Sequence, residues 1–211
     1  MITSGCSGTY QAYYQTLKIA FTQQEDAQLT FTQVEQSDSD VISVKRGERP
    51  ISIMALAYLE NNQHKWVSRD NAMLIMEKGR IVRTLGLSKN LLYVSNTDLD
   101  PLKYLPDSQT NNLWTYTSDY TDDEYGYPAA SVFNEASHDI VLALGLRIES
   151  ILYIETMNFQ ATANYLQLAN KWQNYYWYSK SGDLIKSIQK ISPLSESLEI
   201  TYLSRIARLT L

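Results

Sequence analysis

The chain has 211 residues, of which 44% are hydrophobic and 19% charged, and its formal net charge is −5. This composition is ordinary for a globular protein and excludes wholesale disorder, and the length suits one large domain or two small ones. The acidic balance and the scattered basic residues argue against a nucleic-acid partner. No apolar run is long enough to span a membrane, and a single cysteine excludes an internal disulfide and an all-cysteine metal site.

That cysteine, Cys6, follows three small residues, Thr3, Ser4 and Gly5. A lipoprotein signal peptidase needs small residues before a near-terminal cysteine, and three acyl chains on that cysteine hold a protein on a membrane almost permanently. The same four residues fit equally well with a free thiol in an unstructured tail. The basic and apolar regions of a signal peptide do not precede Cys6, so we expect the sequence to begin inside a trimmed signal. An aspartate directly after the lipidated cysteine would favour retention in the inner membrane, whereas Ser7 at this position favours the outer membrane.

Downstream of Cys6 the sequence predicts one helix and then strands. Residues 9–23 carry apolar side chains at helical spacing, which predicts a single helix with one apolar stripe. From residue 29 onward, short β-branched and aromatic runs separated by Asn, Asp and Gly predict strands joined by tight turns. The predicted strands lie at 41–44, 51–60, 66–68, 73–77, 81–87, 113–120, 130–144, 146–155, 159–168, 171–178, 184–191 and 198–203.

One segment between the predicted strands, residues 95–112, is rich in Asn, Asp and Pro and predicts a long loop. Strands and helices do not alternate along the chain, which disfavours an α/β fold. We therefore predict a mainly β fold, an antiparallel meander that forms a curled sheet, a half-barrel or a barrel, with one N-terminal α-helix. Residues 1–8 are interpreted as a lipobox remnant and tether, and residues 9–211 as a single β-rich domain.

Tyrosine is over-represented, with 16 residues against 4 phenylalanines, and the densest aromatic run lies near the C-terminus. In a strand, Trp172, Tyr176 and Tyr178 face one way, whereas Tyr175 and Trp177 face the other. A strand with a solvated face rarely carries large aromatics on both sides, so one set either lies under another element or lines a groove. Rings in a groove can stack on sugars, which makes these residues candidates for a glycan or partner surface. Burial in the core is the alternative.

Trp66, Ser68 and Asp70 alternate, which predicts that they share one face of a strand. Asp70 and Asn71 also make a good turn pair, because their side chains can bond the local backbone. A hydrolase would use Ser68 as the nucleophile with His64 or His138 as the base. Nothing frames Ser68 as a G-x-S-x-G elbow, however, and the two histidines have no paired spacing. We interpret this segment as structural.

An acidic run follows the strand predicted at 113–120, at Asp119, Asp122, Asp123 and Glu124. These carboxylates fit a Ca²⁺ site or a catalytic carboxylate pair. The run lacks the D-x-D-x-D-G frame of a calcium loop, and we interpret it as a solvated turn. The sequence shows neither zinc-ligand spacing nor a phosphate-binding glycine loop, so we expect no metal and no cofactor.

One stretch goes beyond a generic β pattern, namely Lys65-Trp66-Val67-Ser68-Arg69-Asp70-Asn71-Ala72-Met73-Leu74, then Gly79-Arg80, Leu91-Leu92 and Asp100-Pro101-Leu102. A second landmark is Lys171-Trp172-Gln173-Asn174-Tyr175-Tyr176-Trp177, followed by Ser181-Gly182. Together with Gly5-Cys6, these segments resemble the YjbF/GfcB family, the group 4 capsule polysaccharide lipoproteins of Gram-negative bacteria. The W-x-S-x-D-N-A segment is the most specific part of the resemblance, which runs collinearly over nearly the whole chain.

The resemblance implies lipidation of Cys6 and an outer-membrane lipoprotein that faces the periplasm. It implies a role in the export or assembly of extracellular polysaccharide (capsule or exopolysaccharide) beside export-machinery proteins, and it carries over no catalytic residue. Trp66, Asp70 and Asn71 join the aromatic run as the candidate glycan or partner surface. Two alternatives stay open. One is a periplasmic carrier of a lipid or other apolar ligand, which a filled core would argue against, and the other is a polysaccharide-modifying enzyme.

Overall fold

The structure is a computed structural model that describes residues 26–106, 113–122, 124–134, 137–159 and 171–209. Cys6 and the helix predicted at 9–23 lie outside the described residues, as does nearly all of the strand predicted at 159–168. Among the helices of the described ranges, none is both long enough and apolar enough to cross a membrane.

Thirteen strands and two short α-helices occur in the described parts of the chain. The strands are β1 (Val41–Arg46), β2 (Ser52–Glu60), β3 (Gln63–Ser68), β4 (Met73–Glu77), β5 (Arg80–Leu85), β6 (Leu91–Val94), β7 (Trp114–Tyr120), β8 (Glu124–Phe133), β9 (Ser137–Ala143), β10 (Leu146–Phe159), β11 (Lys171–Ser179), β12 (Leu184–Gln189) and β13 (Leu198–Thr201). The helices are α1 (Phe31–Glu35) and α2 (Leu203–Arg208), and two 3₁₀ helices, Thr97–Leu99 and Pro101–Tyr104, lie between β6 and β7.

The strands form one antiparallel sheet that curls into an almost closed barrel. The strand order is β5-β4-β3-β2-β1-β13-β12-β11-β10-β8-β7-β6, and β9 pairs with β10 beside this path. The strands at the two ends of this order, β5 and β6, meet through a side chain, because the buried Thr84 hydroxyl accepts a hydrogen bond from the Leu91 N–H at 2.9 Å. The predicted mainly β, antiparallel and barrel-like fold is confirmed.

Side chains of each strand alternate between the barrel interior and its outer surface. On β1, Ile42 and Val44 lie in the interior core, whereas Val41 packs outside against Leu203 and Ala207 of α2. Both α-helices therefore lie on the outside of the sheet, where α2 covers part of β1 and β12. The helices shield apolar outer positions that a solvated sheet face would otherwise expose.

The helix α2 is a correction to the sequence prediction of a strand at 198–203. The strand ends two residues earlier, and Leu203, Ile206 and Ala207 are buried at positions i, i+3 and i+4. This spacing is the pattern of one helix face. The helix is only six residues long. Its helical spacing is therefore too short to outweigh the strand pattern of the residues before it.

Another correction concerns the strands from residue 124 to residue 159. The single strand predicted at 130–144 is two strands, β8 and β9, and the strand predicted at 146–155 continues to Phe159. The first half of β10 pairs with β9 and its second half with β8. Asn158 disfavours a strand locally, but its backbone pairs with Ala130 on one side and Lys171 on the other. Tertiary pairing overrides the local preference here.

The two ends of the barrel differ. At one end, residues 95–106 fold into the opening, with Leu102 and Leu105 buried in the core and Lys103 paired with Glu77 at 2.9 Å. We call residues 95–106 the plug. At the opposite end, the turns at 46–52, 68–73 and 85–91 surround an open cavity of about 830 Å³, which we call the mouth.

Candidate functional site

The mouth has an aliphatic inner wall and a charged rim. The wall is formed by side chains that also belong to the barrel core or pack against it, namely Val44, Met54, Leu74, Leu87 and Leu198. The rim carries polar and charged side chains, namely Arg46, Arg49, Ser68, Arg69 and Asp70. The cavity is of the size of a small-ligand site, roughly 300–1,000 Å³.

The turn between β3 and β4 places part of this rim. The Ser68 N–H donates to the Ala72 carbonyl at 2.9 Å and the Asn71 N–H to the Ser68 carbonyl at 3.0 Å. Asn71 has φ of 63°, a left-handed conformation that asparagine tolerates better than most residues. The Ser68 hydroxyl donates to the Asp70 carboxylate and thereby holds the pKa of Asp70 below its ordinary value of 3.8. Asp70 and Asn71 thus form the turn pair that the sequence predicts.

The arginines of the rim differ in whether a carboxylate pairs with them. Glu196 is shared by two guanidiniums, since its Oε2 lies 3.1 Å from Arg46 Nε and 3.5 Å from Arg49 Nε. Arg69 has no ion-pair partner among the described residues. The rim therefore holds guanidinium donors that are free to bind an anion.

A second polar group lies inside the barrel, between the plug and the mouth. Arg80 of β5 makes a bidentate contact with each of two carboxylates. Its Nε and Nη2 lie 2.8 and 2.9 Å from the Asp100 carboxylate oxygens. Its Nη1 and Nη2 lie 2.6 and 2.7 Å from those of Glu155. The Tyr176 hydroxyl accepts from Arg80 Nη1 at 2.9 Å, and Asn174 Nδ2 donates to Glu155 at 3.0 Å. All five side chains are buried. We call them the interior cluster.

The interior cluster joins the plug to two walls of the barrel. Burial by itself lowers the pKa of Arg80, but Asp100 and Glu155 more than offset this effect and raise the pKa well above its ordinary value. Burial likewise opposes ionisation of Glu155, but the Arg80 charge dominates and lowers the pKa of Glu155 below 4.5. Arg80 and Glu155 are therefore charged at neutral pH. Because each charge is met by hydrogen bonds, the arrangement acts as an internal crosslink.

The predicted aromatic candidates are mostly buried. The side chains of Trp66, Tyr176, Trp177 and Tyr178 are buried, and those of Trp172 and Tyr175 are half-buried. The predicted alternation is present in β11, because the set Trp172, Tyr176 and Tyr178 lies at the interior core and the set Tyr175 and Trp177 in an outer cluster with α2. The Trp177 indole N–H donates to Asp139 at 2.7 Å. The aromatic run packs on both faces of the sheet. Of the candidate residues only Asp70 and Asn71 are exposed, and Asp70 lies at the rim of the mouth.

The groups of the hydrolase alternative are not brought together. His64 stacks against Trp66 on β3 with ring centroids 6.4 Å apart, and His138 lies opposite Ile151 in the β9–β10 ladder. Within the described residues, no hydrogen bond joins Ser68 to either histidine, and its hydroxyl is bonded to the Asp70 carboxylate and lies 3.2 Å from the Ala72 carbonyl.

The acidic run between β7 and β8 is partly engaged in local contacts. Glu124 pairs with Lys89, and the Asp119 carboxylate accepts from the Gly126 N–H at 2.7 Å. Asp123 lies outside the described residues. In the part of the chain that the structure describes, no three His, Cys, Asp or Glu side chains group as a metal site would require.

Sequence reasoning missed both the arginine rim and the interior cluster. Gly79-Arg80 and Asp100-Pro101-Leu102 are landmarks of the family resemblance, but nothing in the sequence shows that Arg80 and Asp100 meet. Glu155 offered a signal, because it follows an apolar stretch of β10, where a charged side chain needs a partner. Arg46 ends β1, and Arg49 and Arg69 lie in turns. Charged residues are ordinary at strand ends and in turns and carry no such signal.

The described residues form a barrel-like β structure with one plugged end and one open mouth that carries three arginines. Residues 14–203 match the family described as group 4 capsule polysaccharide lipoprotein GfcB, YjbF, and the chain belongs to this family. The resemblance that the sequence landmarks indicate is therefore confirmed.

Relatives from Escherichia coli (strain K12) cover most of the chain. This chain is 25% identical to the lipoprotein GfcB over 206 aligned residues, which cover 96% of this chain and 94% of GfcB. It is 32% identical to the lipoprotein YjbF over 143 aligned residues, which cover 66% of this chain and 63% of YjbF. The crystal structure of the hypothetical lipoprotein YmcC from the same strain has a TM-score of 0.73 at 23% identity, over 96% of this chain and 97% of that one. This last likeness supports the fold.

Proposed function

We propose that the protein is a lipid-anchored accessory factor of the outer membrane that faces the periplasm and assists the export or assembly of capsule or another extracellular polysaccharide. The observation that carries this proposal is the match of residues 14–203 to a family of capsule polysaccharide lipoproteins. Both curated relatives are also lipoproteins, a class that is anchored to membranes.

Cys6 is the proposed anchor. The described part of the chain begins at the mouth, where the Ala27 N–H donates to the Ile51 carbonyl at 3.0 Å and the Ile51 N–H donates to the Asp26 carboxylate at 2.7 Å. A lipid on Cys6 would hold the barrel at the membrane beside the export machinery.

The proposed role is non-catalytic. Two observations support this part of the proposal: the Ser68 hydroxyl is occupied by its own turn, and the charges of the interior cluster are all engaged with one another. A polypeptide that binds and positions, and does not react, needs neither a free nucleophile nor a free base.

Complementation of a strain that lacks the gene tests the proposal. Wild type, Cys6→Ser and the matched control Ser4→Ala, which keeps a small residue before the cysteine, are compared for membrane association and extracellular polysaccharide. We expect wild type and Ser4→Ala to fractionate with the outer membrane and restore polysaccharide, and Cys6→Ser to do neither. Full restoration by unanchored Cys6→Ser would contradict the anchored role, and unchanged polysaccharide in the deletion strain would contradict the polysaccharide role.

A further inference from the structure

The mouth has a composition that selects one class of ligand. Its wall is made of aliphatic side chains, including Met54, Leu74 and Leu87, and three arginines stand at its rim. We propose that the mouth binds an anionic amphiphile, a molecule with an aliphatic chain and a phosphate or carboxylate head. The proposal goes beyond the polysaccharide role and does not depend on it.

The aliphatic wall accounts for the chain of the ligand. Val44, Met54, Leu74 and Leu198 are buried, but Ile51 and Leu87 at the mouth are partly exposed. Covering their apolar surface is favourable in proportion to the area covered. The volume of about 830 Å³ is that of a small-ligand site and is far larger than a packing defect. An aliphatic chain fits this apolar wall better than a hydroxylated chain, whose buried hydroxyl groups would lack hydrogen-bond partners.

The rim accounts for the charged head. Three guanidiniums, those of Arg46, Arg49 and Arg69, line the mouth together with the Asp70 carboxylate. Two other carboxylates beside the mouth are already engaged, since Glu196 pairs with Arg46 and Arg49 and Asp26 accepts from the Ile51 N–H. A guanidinium binds phosphate and carboxylate through paired N–H donors, and Arg69 has its donors free of any ion pair within the described ranges.

The same lining argues against a neutral or acidic sugar as the main occupant. Sugar-binding grooves gain much from flat aromatic rings, but the described residues around the mouth include no aromatic side chain. The aromatic residues of β11 pack into the cores of the fold instead. Stacking is therefore not available at the mouth, whereas aliphatic contact is.

The interior of the barrel limits how deep the ligand reaches. Below the wall, the interior cluster and core side chains such as Trp114 and Tyr120 fill the space, and a cavity of only about 20 Å³ lies beside Arg80. The filled core argues against a carrier that encloses its ligand within the barrel. The structure favours a shallow site in which the chain lies on the wall and the head stays at the rim.

Calorimetric titration of the full chain carrying Cys6→Ser tests this proposal. The probe is dodecyl phosphate below its critical micelle concentration. Dodecyl maltoside supplies the same chain without charge, inorganic phosphate supplies the head alone, and a trigalacturonate supplies an acidic sugar. We expect saturable binding of one dodecyl phosphate, with each of the other three probes weaker by roughly tenfold or more.

Two variants and one control assign the binding to the mouth. Arg69→Ala should weaken dodecyl phosphate roughly tenfold and leave dodecyl maltoside unchanged. Leu87→Gln, at the wall, should weaken dodecyl phosphate but leave the response to inorganic phosphate as it is. Arg83→Ala, an exposed position of β5 away from the mouth, is the matched control and should bind like wild type. Thermal unfolding verifies that each variant is folded.

Four results would overturn the proposal. These are absence of saturable binding, equal binding of dodecyl maltoside, tighter binding of trigalacturonate, and Arg69→Ala behaving like Arg83→Ala. Tighter binding of trigalacturonate would assign the mouth to acidic glycan. None of these results bears on polysaccharide output in the deletion strain, so failure of the ligand site and failure of the proposed function are distinguishable.

Discussion

Arg80 and Glu155 face each other across the barrel interior, with Nη1 2.6 Å from Oε2 and Nη2 2.7 Å from Oε1. They lie on β5 and β10, on different walls of the sheet, and Asp100 of the plug contacts the same guanidinium. One side chain thus ties together three segments that are far apart in sequence. The interior cluster therefore links the plug to two walls of the barrel through buried contacts.

Removal of the Arg80 side chain should therefore destabilise the protein strongly. Arg80→Ala leaves two buried carboxylates without a cation, and loss of one partner of a buried pair costs about 3–5 kcal/mol of unfolding free energy. Arg83→Ala, three residues along the same strand with an exposed side chain, should change it by less than about 0.5 kcal/mol. Urea denaturation of both variants measures the difference. Equal midpoints would show that the interior cluster contributes little.

Acid should weaken the protein through Glu155. Because Arg80 holds the pKa of Glu155 below 4.5, this carboxylate stabilises the fold above its ordinary pKa, and the contribution is lost as pH falls through the lowered value. Glu155→Gln removes the titrating group, so its unfolding free energy should fall less steeply than that of wild type below about pH 4.5. Denaturation curves from pH 7 down to pH 3 give the two slopes, and parallel slopes would contradict the assignment.

Gly79, beside the interior cluster, should not tolerate a side chain. Its φ is +98°, and a Cβ would lie 2.3 Å from Cδ2 of the buried Leu184. Gly145 also has positive φ, +74°, but a Cβ there would meet nothing within 4 Å. Both Gly→Ala changes incur backbone strain, so the extra cost of Gly79→Ala, about 1–3 kcal/mol, isolates the clash. Thermal unfolding of the pair tests this, and equal losses would show that Leu184 moves aside freely.

Ser68→Ala should distinguish a structural role of Ser68 in its turn from a role as a catalytic nucleophile. We expect a loss of about 1 kcal/mol in unfolding free energy, because the hydroxyl that binds Asp70 is removed. We expect the variant to restore extracellular polysaccharide in the deletion strain to the wild-type level. His138→Ala serves as a parallel test of a base. A folded, membrane-associated Ser68→Ala variant that fails to restore polysaccharide would favour the enzyme alternative.

Much of the fold could be predicted from local sequence patterns. The parts that could not be predicted share one physical cause. The strand at Met73–Glu77 follows from its apolar run and the adjacent Gly79 turn, and its predicted bounds match the structure. The division of β10 between two partners, and the meeting of Arg80 with Asp100, depend on tertiary pairing that no local window contains. The segment around α2 is too short for its helical spacing to outweigh the preceding strand pattern.

The candidate site shows the same limit. Asp70 and Asn71 form the predicted turn because the chemistry that places them is local. The burial of Tyr176 and Trp177 on opposite faces of β11 depends on which elements lie above and below that strand. Alternation predicts that the two side chains diverge, but it does not say that both sides are covered.

The most direct test of the proposed function is the partition of polysaccharide between the cells and the medium, measured in a strain lacking the gene and in the same strain complemented with the wild-type chain. The account predicts that the extracellular fraction falls in the deletion strain while polysaccharide is retained in the cells, and that wild type restores the original partition but Cys6→Ser does not. An unchanged extracellular fraction in the deletion strain would contradict it.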